Sequence, residues 1–172
     1  AEADPTNDVC GFDANRKLAI LSAIGFRANV TFDDVLVEGI EKIDKSDIQY
    51  AKDMGYTIKL LTVALRQENG IALNVYPAFL PDNHPLSSVK GAYNAIYVTG
   101  NIVDDVMFYG RGAGALPTAS AVMGDVISTA QHILNGSTGT GMIMTDTKRI
   151  PFYSSLKLQN SYYFRLDVDD VT

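Results

Sequence analysis

The chain has 172 residues, 47% of them hydrophobic and 20% charged, with a formal net charge of -6 and a pI near 4.7. That length carries one domain with a real core, and the composition is not that of a disordered chain. The acidic balance and the lack of any Lys/Arg run argue against a nucleic-acid or anionic-membrane surface, and no stretch is apolar and long enough to span a bilayer.

The spacing predicts a first helix from Phe12 to Phe26. Asp13, Lys17, Ile20, Leu21 and Ile24 fall on one stripe at helical periodicity. That stripe is expected to enter the core, with Asp13 and Lys17 at its margin and Asn15 and Arg16 on the other side. Between Thr31 and Ile43 a short helix near Phe32 to Leu36 and a short strand are expected. A second helix, about Asp47 to Met54, reads as opened by a Ser46/Gln49 capping box and closed by Gly55.

From Tyr56 the pattern turns to strands. Tyr56 to Arg66 and Ile71 to Phe79 flank an Asn69-Gly70 turn, and Ala95 to Thr99 and Val103 to Tyr109 flank Gly100-Asn101. Four strands in two hairpins predict an α+β fold, with a mixed, largely antiparallel sheet and helices covering one face. A glycine-rich stretch, Gly110 to Ala115, precedes a helix from Thr118 to Leu134. Gly136 to Gly141 reads as a flexible small-residue segment, and Met142 to Thr145 as a further short strand. Irregular chain then leads to a strand-like run from Tyr162 to Val168. The chain opens without Met on Ala1-Glu2-Ala3-Asp4-Pro5 and stops soon after that last run, so both ends read as cuts through a longer protein.

The single cysteine, Cys10, rules out an internal disulfide framework and a Cys-based zinc site, and fits a reducing compartment. As a nucleophile it would need His84 or His132 as a base; the simpler reading is a small, half-buried side chain. Glu2, Asp4, Asp8, Asp13 and Lys17 form the densest charged group. Its spacing does not match a helix–loop–helix calcium loop, though a looser divalent site from Glu2, Asp4 and Asp8 stays open. Asp13 and Lys17 are either a solvated i, i+4 ion pair or a lysine acid/base steadied by its aspartate. Gly110-x-Gly112-x-x-Ala115 formally matches a dinucleotide fingerprint, but the strands before it read as hairpins and no acidic residue ends a second strand where one is needed. It is either a turn that needs small residues or a set of backbone amides suited to an anionic group. His84, in a loop before Pro85, reads as structural or solvated.

Glu2-Ala3-Asp4-Pro5-Thr6-Asn7-Asp8-Val9-Cys10-Gly11-Phe12-Asp13-Ala14-Asn15-Arg16-Lys17 resembles the homoserine dehydrogenase signature, with an acidic-Pro opening and a D-x-x-G-x-D-x-x-x-K core. Gly55-Tyr56-Thr57-Ile58-Lys59-Leu60, His84-Pro85-Leu86 with Asn94-Ala95, and Tyr109-Gly110-x-Gly112-Ala113-Gly114-x-x-Pro117-Thr118-Ala119 agree with the family in order, so the resemblance spans essentially the whole chain. It implies NAD- or NADP-dependent interconversion of L-homoserine and L-aspartate 4-semialdehyde in aspartate-family amino-acid biosynthesis, in the cytoplasm. Lys17 matches the lysine assigned to proton transfer at the substrate oxygen, and Asp13 the carboxylate beside it. Glu2 and Asp8 match substrate contacts, and Gly112-Ala113-Gly114 the loop that closes against the cofactor; no metal is implied within this chain.

The resemblance also implies a substrate-binding and dimerisation domain over 1–160 and the first strand of a regulatory domain over 161–172. Helix 118–134 would pack on a nucleotide-binding domain that, with the family's other active-site lysine and most of its monovalent-cation site, lies outside this sequence. The chain alone is then expected to be an inactive homodimer. The competing class is a non-enzymatic interaction or effector-binding domain, whose acidic start is only a solvated cap.

Overall fold

The computed structural model describes residues 4–68, 70–137, 150–152, 160–166 and 168. Its elements run α1 (Thr6–Val9), α2 (Phe12–Phe26), a 3-10 turn (Phe32–Asp34), β1 (Leu36–Val37), α3 (Lys45–Asp53), β2 (Tyr56–Gln67), β3 (Gly70–Pro81), a second 3-10 turn (Pro85–Ser88), β4 (Tyr93–Gly100), β5 (Asp104–Arg111) and α4 (Ala115–Leu134). The α+β reading holds. The sheet divides in two, however: a three-stranded sheet in the order β1-β3-β2 and a separate β4-β5 hairpin. Hairpin signals are local and carry no information on which strands share an edge, so one sheet had been expected from four strands.

In the larger sheet β3 is central, antiparallel to β2 from Gln67↔Gly70 to Tyr56↔Pro81 and parallel to β1 through Leu36↔Asn74. With Gln67 paired to Gly70, the glycine expected inside the turn begins the strand instead; Asn69 lies outside the described residues. Successive strand residues face opposite ways, so Ile71, Leu73 and Val75 share one face. With Leu18, Ala28 and Val35 they form the buried cluster, against which Leu60, Ala64 and Phe152 pack. Phe152 also pairs with Ile71 in an isolated parallel bridge, and the Ile71 amide donates to the Pro151 carbonyl at 3.0 Å.

Helix α2 has the bounds its sequence predicts, but the opposite face is buried. Asn15, Leu18, Ala19, Ser22 and Ala23 turn inward, while Ile20, Leu21 and Ile24 stay exposed. At 3.6 residues per turn those two sets lie on opposite sides of the helix, so the expectation that Asp13 and Lys17 ride on the core face is overturned. Small side chains let the helix approach the sheet closely; its isoleucines would hold it off.

α3 begins two residues earlier than expected and is capped by Asp44. Asp44 Oδ1 accepts from the Ser46 and Asp47 amides at 2.8 and 3.0 Å, and the Asp44 amide donates to Asp47 Oδ2 at 3.0 Å. That reciprocal pair replaces the predicted Ser46/Gln49 box: a carboxylate at the N-cap, facing the positive end of the helix, competes better than a hydroxyl two residues in. Gly55 closes the helix at φ +79° as predicted.

α2 and α3 supply the helical cover, both resting on β2. α4, which starts at Ala115 and not Thr118, buries none of its residues. Residues 160–166 and 168 form no strand among the described residues; Tyr163 stacks on Phe79 and Arg165 pairs with α3, so side chains fix this run and no ladder does. Met142 to Thr145 and most of the predicted flexible segment lie outside the described residues.

Candidate active site

Gly11 sets the site's frame. It is the residue before α2, at φ +78°, a left-handed conformation that costs side-chain-bearing residues about 1–2 kcal/mol. A Cβ there would also sit 3.2 Å from the γ-methyls of Val37 and Val75. Glycine is thus needed twice, once for the turn out of α1 and once for the close seating of the helix on β1 and β3. One turn on, Asn15 Nδ2 donates to the Phe32 carbonyl at 3.0 Å, fixing α2 against the 3-10 turn from its buried side.

With α2 so rotated, Asp13 and Lys17 project outward and meet at 2.6 Å, their side chains 45% and 58% exposed. The pair predicted from i, i+4 spacing is formed. Desolvation by this chain's own core, the basis on which its chemistry was expected to be tuned, is not present. The same outer face continues into Ile20 and Ile24, which with Arg16, Val30 and Phe32 line an open, mostly apolar groove of about 700 Å³. Charged and apolar groups therefore stand side by side on one exposed helix face.

Asp8 lies in α1, exposed. Asp4 accepts from the Thr6 hydroxyl at 2.5 Å and the Thr6 amide at 3.0 Å, and these bonds, the hydroxyl's first, hold its carboxyl below the usual range. Glu2 lies outside the described residues. Among the described residues no three His, Cys, Asp or Glu side chains gather to hold a metal, and Asp4, a candidate member of the divalent site, is engaged by Thr6.

Cys10 is half-buried, and hydrogen bonding with the Glu41 carboxylate first, burial second, pushes the thiol pKa up, while the thiol draws the carboxyl pKa down. A raised thiol is a poor nucleophile, in keeping with the structural reading of Cys10. Sequence reasoning missed Glu41. The signal that could have found it is Gly39: a Cβ there would lie 2.4 Å from the Val9 carbonyl and 2.1 Å from Glu41 Oε2, so only glycine lets the 39–41 segment lie against the end of α1. The Ile40 amide donates to that Val9 carbonyl at 2.9 Å. His84 is structural: its Nδ1 accepts from the Leu86 amide at 3.2 Å and its ring leans on Tyr97 at 5.3 Å.

The Gly112-Ala113-Gly114 loop belongs to the other layer, where the Gly112 amide donates to the Ala92 carbonyl at 2.9 Å. A Cβ on Gly112 would stand 1.7 Å from Asn94 Nδ2, and Gly114 takes φ +122°. The loop is glycine-rich because strand β4 crowds it and because its last residue needs a conformation other residues avoid. No side chain caps the first turn of α4 that follows. Small, exposed residues leading into uncapped helix amides fit the anionic part of a nucleotide.

The family model described as homoserine dehydrogenase matches residues 1–127. The homoserine dehydrogenase of Bacillus subtilis is 48% identical over 143 residues, covering 83% of this chain and 33% of the relative. That of Corynebacterium glutamicum is 42% identical over 175 aligned positions, covering 99% and 39%. The crystal structure of a homoserine dehydrogenase from Thiobacillus denitrificans superposes with a TM-score of 0.83 at 39% identity, covering 89% of this chain and 36% of that one. The chain thus spans between a third and two fifths of the length of the relatives it matches.

Proposed function

The chain belongs to the homoserine dehydrogenase family, and from that premise we propose that it is the substrate-binding, proton-transferring and dimerising region of an enzyme interconverting L-homoserine and L-aspartate 4-semialdehyde with NAD or NADP. The observation that carries the reading is the Asp13–Lys17 pair, closed at 2.6 Å on the exposed face of α2 beside an apolar groove. The nicotinamide, when bound, takes up or supplies a hydride at the substrate's terminal carbon. What this chain's residues must do is place that carbon and manage one proton on its oxygen.

In the reducing direction the Lys17 ammonium, held by Asp13, gives a proton to the aldehyde oxygen as the carbon gains hydride. In the oxidising direction neutral Lys17 takes the hydroxyl proton back. Asp8 and Glu2 contact the substrate, Glu2 gripping its ammonium group. Gly112, Ala113 and Gly114 close on the cofactor. Residues 1–160 form the working domain and 161–172 the start of a regulatory one.

Shielding of Lys17 from water, which this chain leaves at 58% exposure, comes from the substrate and from a nucleotide-binding part packed over the outer face of α2. Helix α4 packs on that same part through the aliphatic residues it leaves exposed, Met123, Val126 and Ile127 among them. The enzyme works in the cytoplasm as a homodimer, and the 172-residue chain alone does not turn over.

NAD(P)-linked homoserine oxidation by the full-length enzyme, wild type against Lys17→Ala, tests this. A loss of about 10²–10⁴-fold in kcat is expected, with the melting curve unchanged, because the exposed pair adds only about 0.3–0.5 kcal/mol to stability. Turnover indifferent to the substitution would remove Lys17 from the mechanism. A folded full-length protein without turnover on either cofactor would favour the effector-binding module.

A further inference from the structure

The run 160–166 has no strand partner among the described residues, yet it is seated by four side-chain contacts at one end of the main sheet. Arg165 Nη1 donates to Asp44 Oδ2 at 2.6 Å and to Asp47 Oδ1 at 2.8 Å. The Tyr163 hydroxyl donates to the same Asp47 oxygen at 3.1 Å, and its ring stacks on Phe79 at 4.7 Å, 26° from parallel. Phe79 in turn leans on Tyr56, the first residue of β2, at 6.3 Å. By strand alternation Phe79 shares its face with Ile71, Leu73 and Val75, so Tyr163 covers the far end of the face on which α2 sits.

Asp47 is the telling residue. Its side chain is 7% exposed, a depth at which a carboxylate needs charged or hydrogen-bonding partners. Apart from the Asp44 amide on its other oxygen, both partners it has come from this run. Arg165 and Asp44 are themselves about half exposed, so salt and water reach the outer half of the clasp. A partly exposed ion pair adds little net stability. The seat is built, and it opens at small cost: on release Asp47 is hydrated and remains in the α3 capping box.

We propose that residues 160–166 are a salt-labile latch, closed by Arg165 and Tyr163 on Asp44 and Asp47, that sets the order of the first turn of α3 and of the start of β2. Because α2 also rests on β2, the latch ties whatever positions this run to the layer that carries Lys17. Opening it loosens Tyr56–Ile58 and Lys45–Asp47 before it touches the core cluster.

Hydrogen exchange of the 172-residue chain tests the latch. Arg165→Ala is expected to speed exchange in the first turn of α3 and at Tyr56–Ile58 by about tenfold or more, with the amides of Ile71–Val75 unchanged. Asp47→Asn keeps an acceptor for the Asp44 amide and should act similarly. The double variant should exchange no faster than Arg165→Ala, which already removes the pair to Asp47 along with the pair to Asp44. About 0.5 M sodium chloride should accelerate these amides in the wild type and leave Arg165→Ala unmoved. A double variant that exchanges faster than Arg165→Ala, or an α3 indifferent to Arg165→Ala, would each overturn the latch.

Discussion

The layer of α2, β3 and β2 and the arm of β4, β5 and α4 both carry many large aliphatic residues, and they dispose of them in opposite ways. β3 buries a continuous run from Gly70 to Val75, with Ile71 fully covered and Val75 almost so. α4 buries nothing, although Val122, Met123, Val126, Ile127, Ile133 and Leu134 recur at three-, four- and seven-residue spacings along it. Among the described residues nothing covers that apolar stripe, so α4 exposes a patch of the kind that marks interaction surfaces. The first region buries its aliphatic residues within this chain, and the second leaves them uncovered among the described residues.

Removing buried volume separates the two most sharply. Ile71→Ala should cost about 2–5 kcal/mol, the range for emptying a fully packed aliphatic site, whereas Ile127→Ala on α4 should stay within about 0.5 kcal/mol. Urea unfolding of both variants measures this; equal losses would mean that α4 is covered in solution, by a second copy or by the rest of the sheet. Next in size is Gly11→Ala, which combines a left-handed backbone with two methyl contacts at 3.2 Å. A cost of about 1–2 kcal/mol is expected from the backbone alone, read from the same unfolding curves.

The smallest effect is electrostatic and confined to acid. The Asp47 amide first, and Arg165 second, hold the Asp44 carboxyl below its ordinary 3.8. A carboxyl depressed in the folded state stabilises fully above its unfolded value and loses that contribution as pH falls through the folded one. Asp44→Asn should therefore melt below the wild type near neutrality. The gap should close only below about pH 3.8, the ordinary carboxyl value from which this group departs downward. A gap independent of pH would show that capping geometry alone, and no charge, is at work.

Much of this was legible in the sequence because it is local. Fifteen residues between two turn-forming positions made α2, and alternation with a turn signal made the β2–β3 hairpin. Asp13 and Lys17 met because four residues apart on a helix are neighbours wherever the helix goes. The proximity of Cys10 and Glu41 was harder to read: they lie on separate segments, and Gly39, which lets those segments approach, was the one sequence signal for it.

Which side of α2 faces inward could not be read from the chain alone. By hydrophobicity Ile20, Leu21 and Ile24 outrank Ala19, Ser22 and Ala23, and by that measure the wrong face wins. The sheet decided otherwise, since close packing on β3 rewards small residues and a pinned Asn15 over large ones held away. Sequence determined the elements and the pairing within them, through interactions that span a few residues. The tertiary structure determined the facing of α2, the split into two sheets and the exposure of Lys17, because each depends on surfaces that no short stretch of sequence contains.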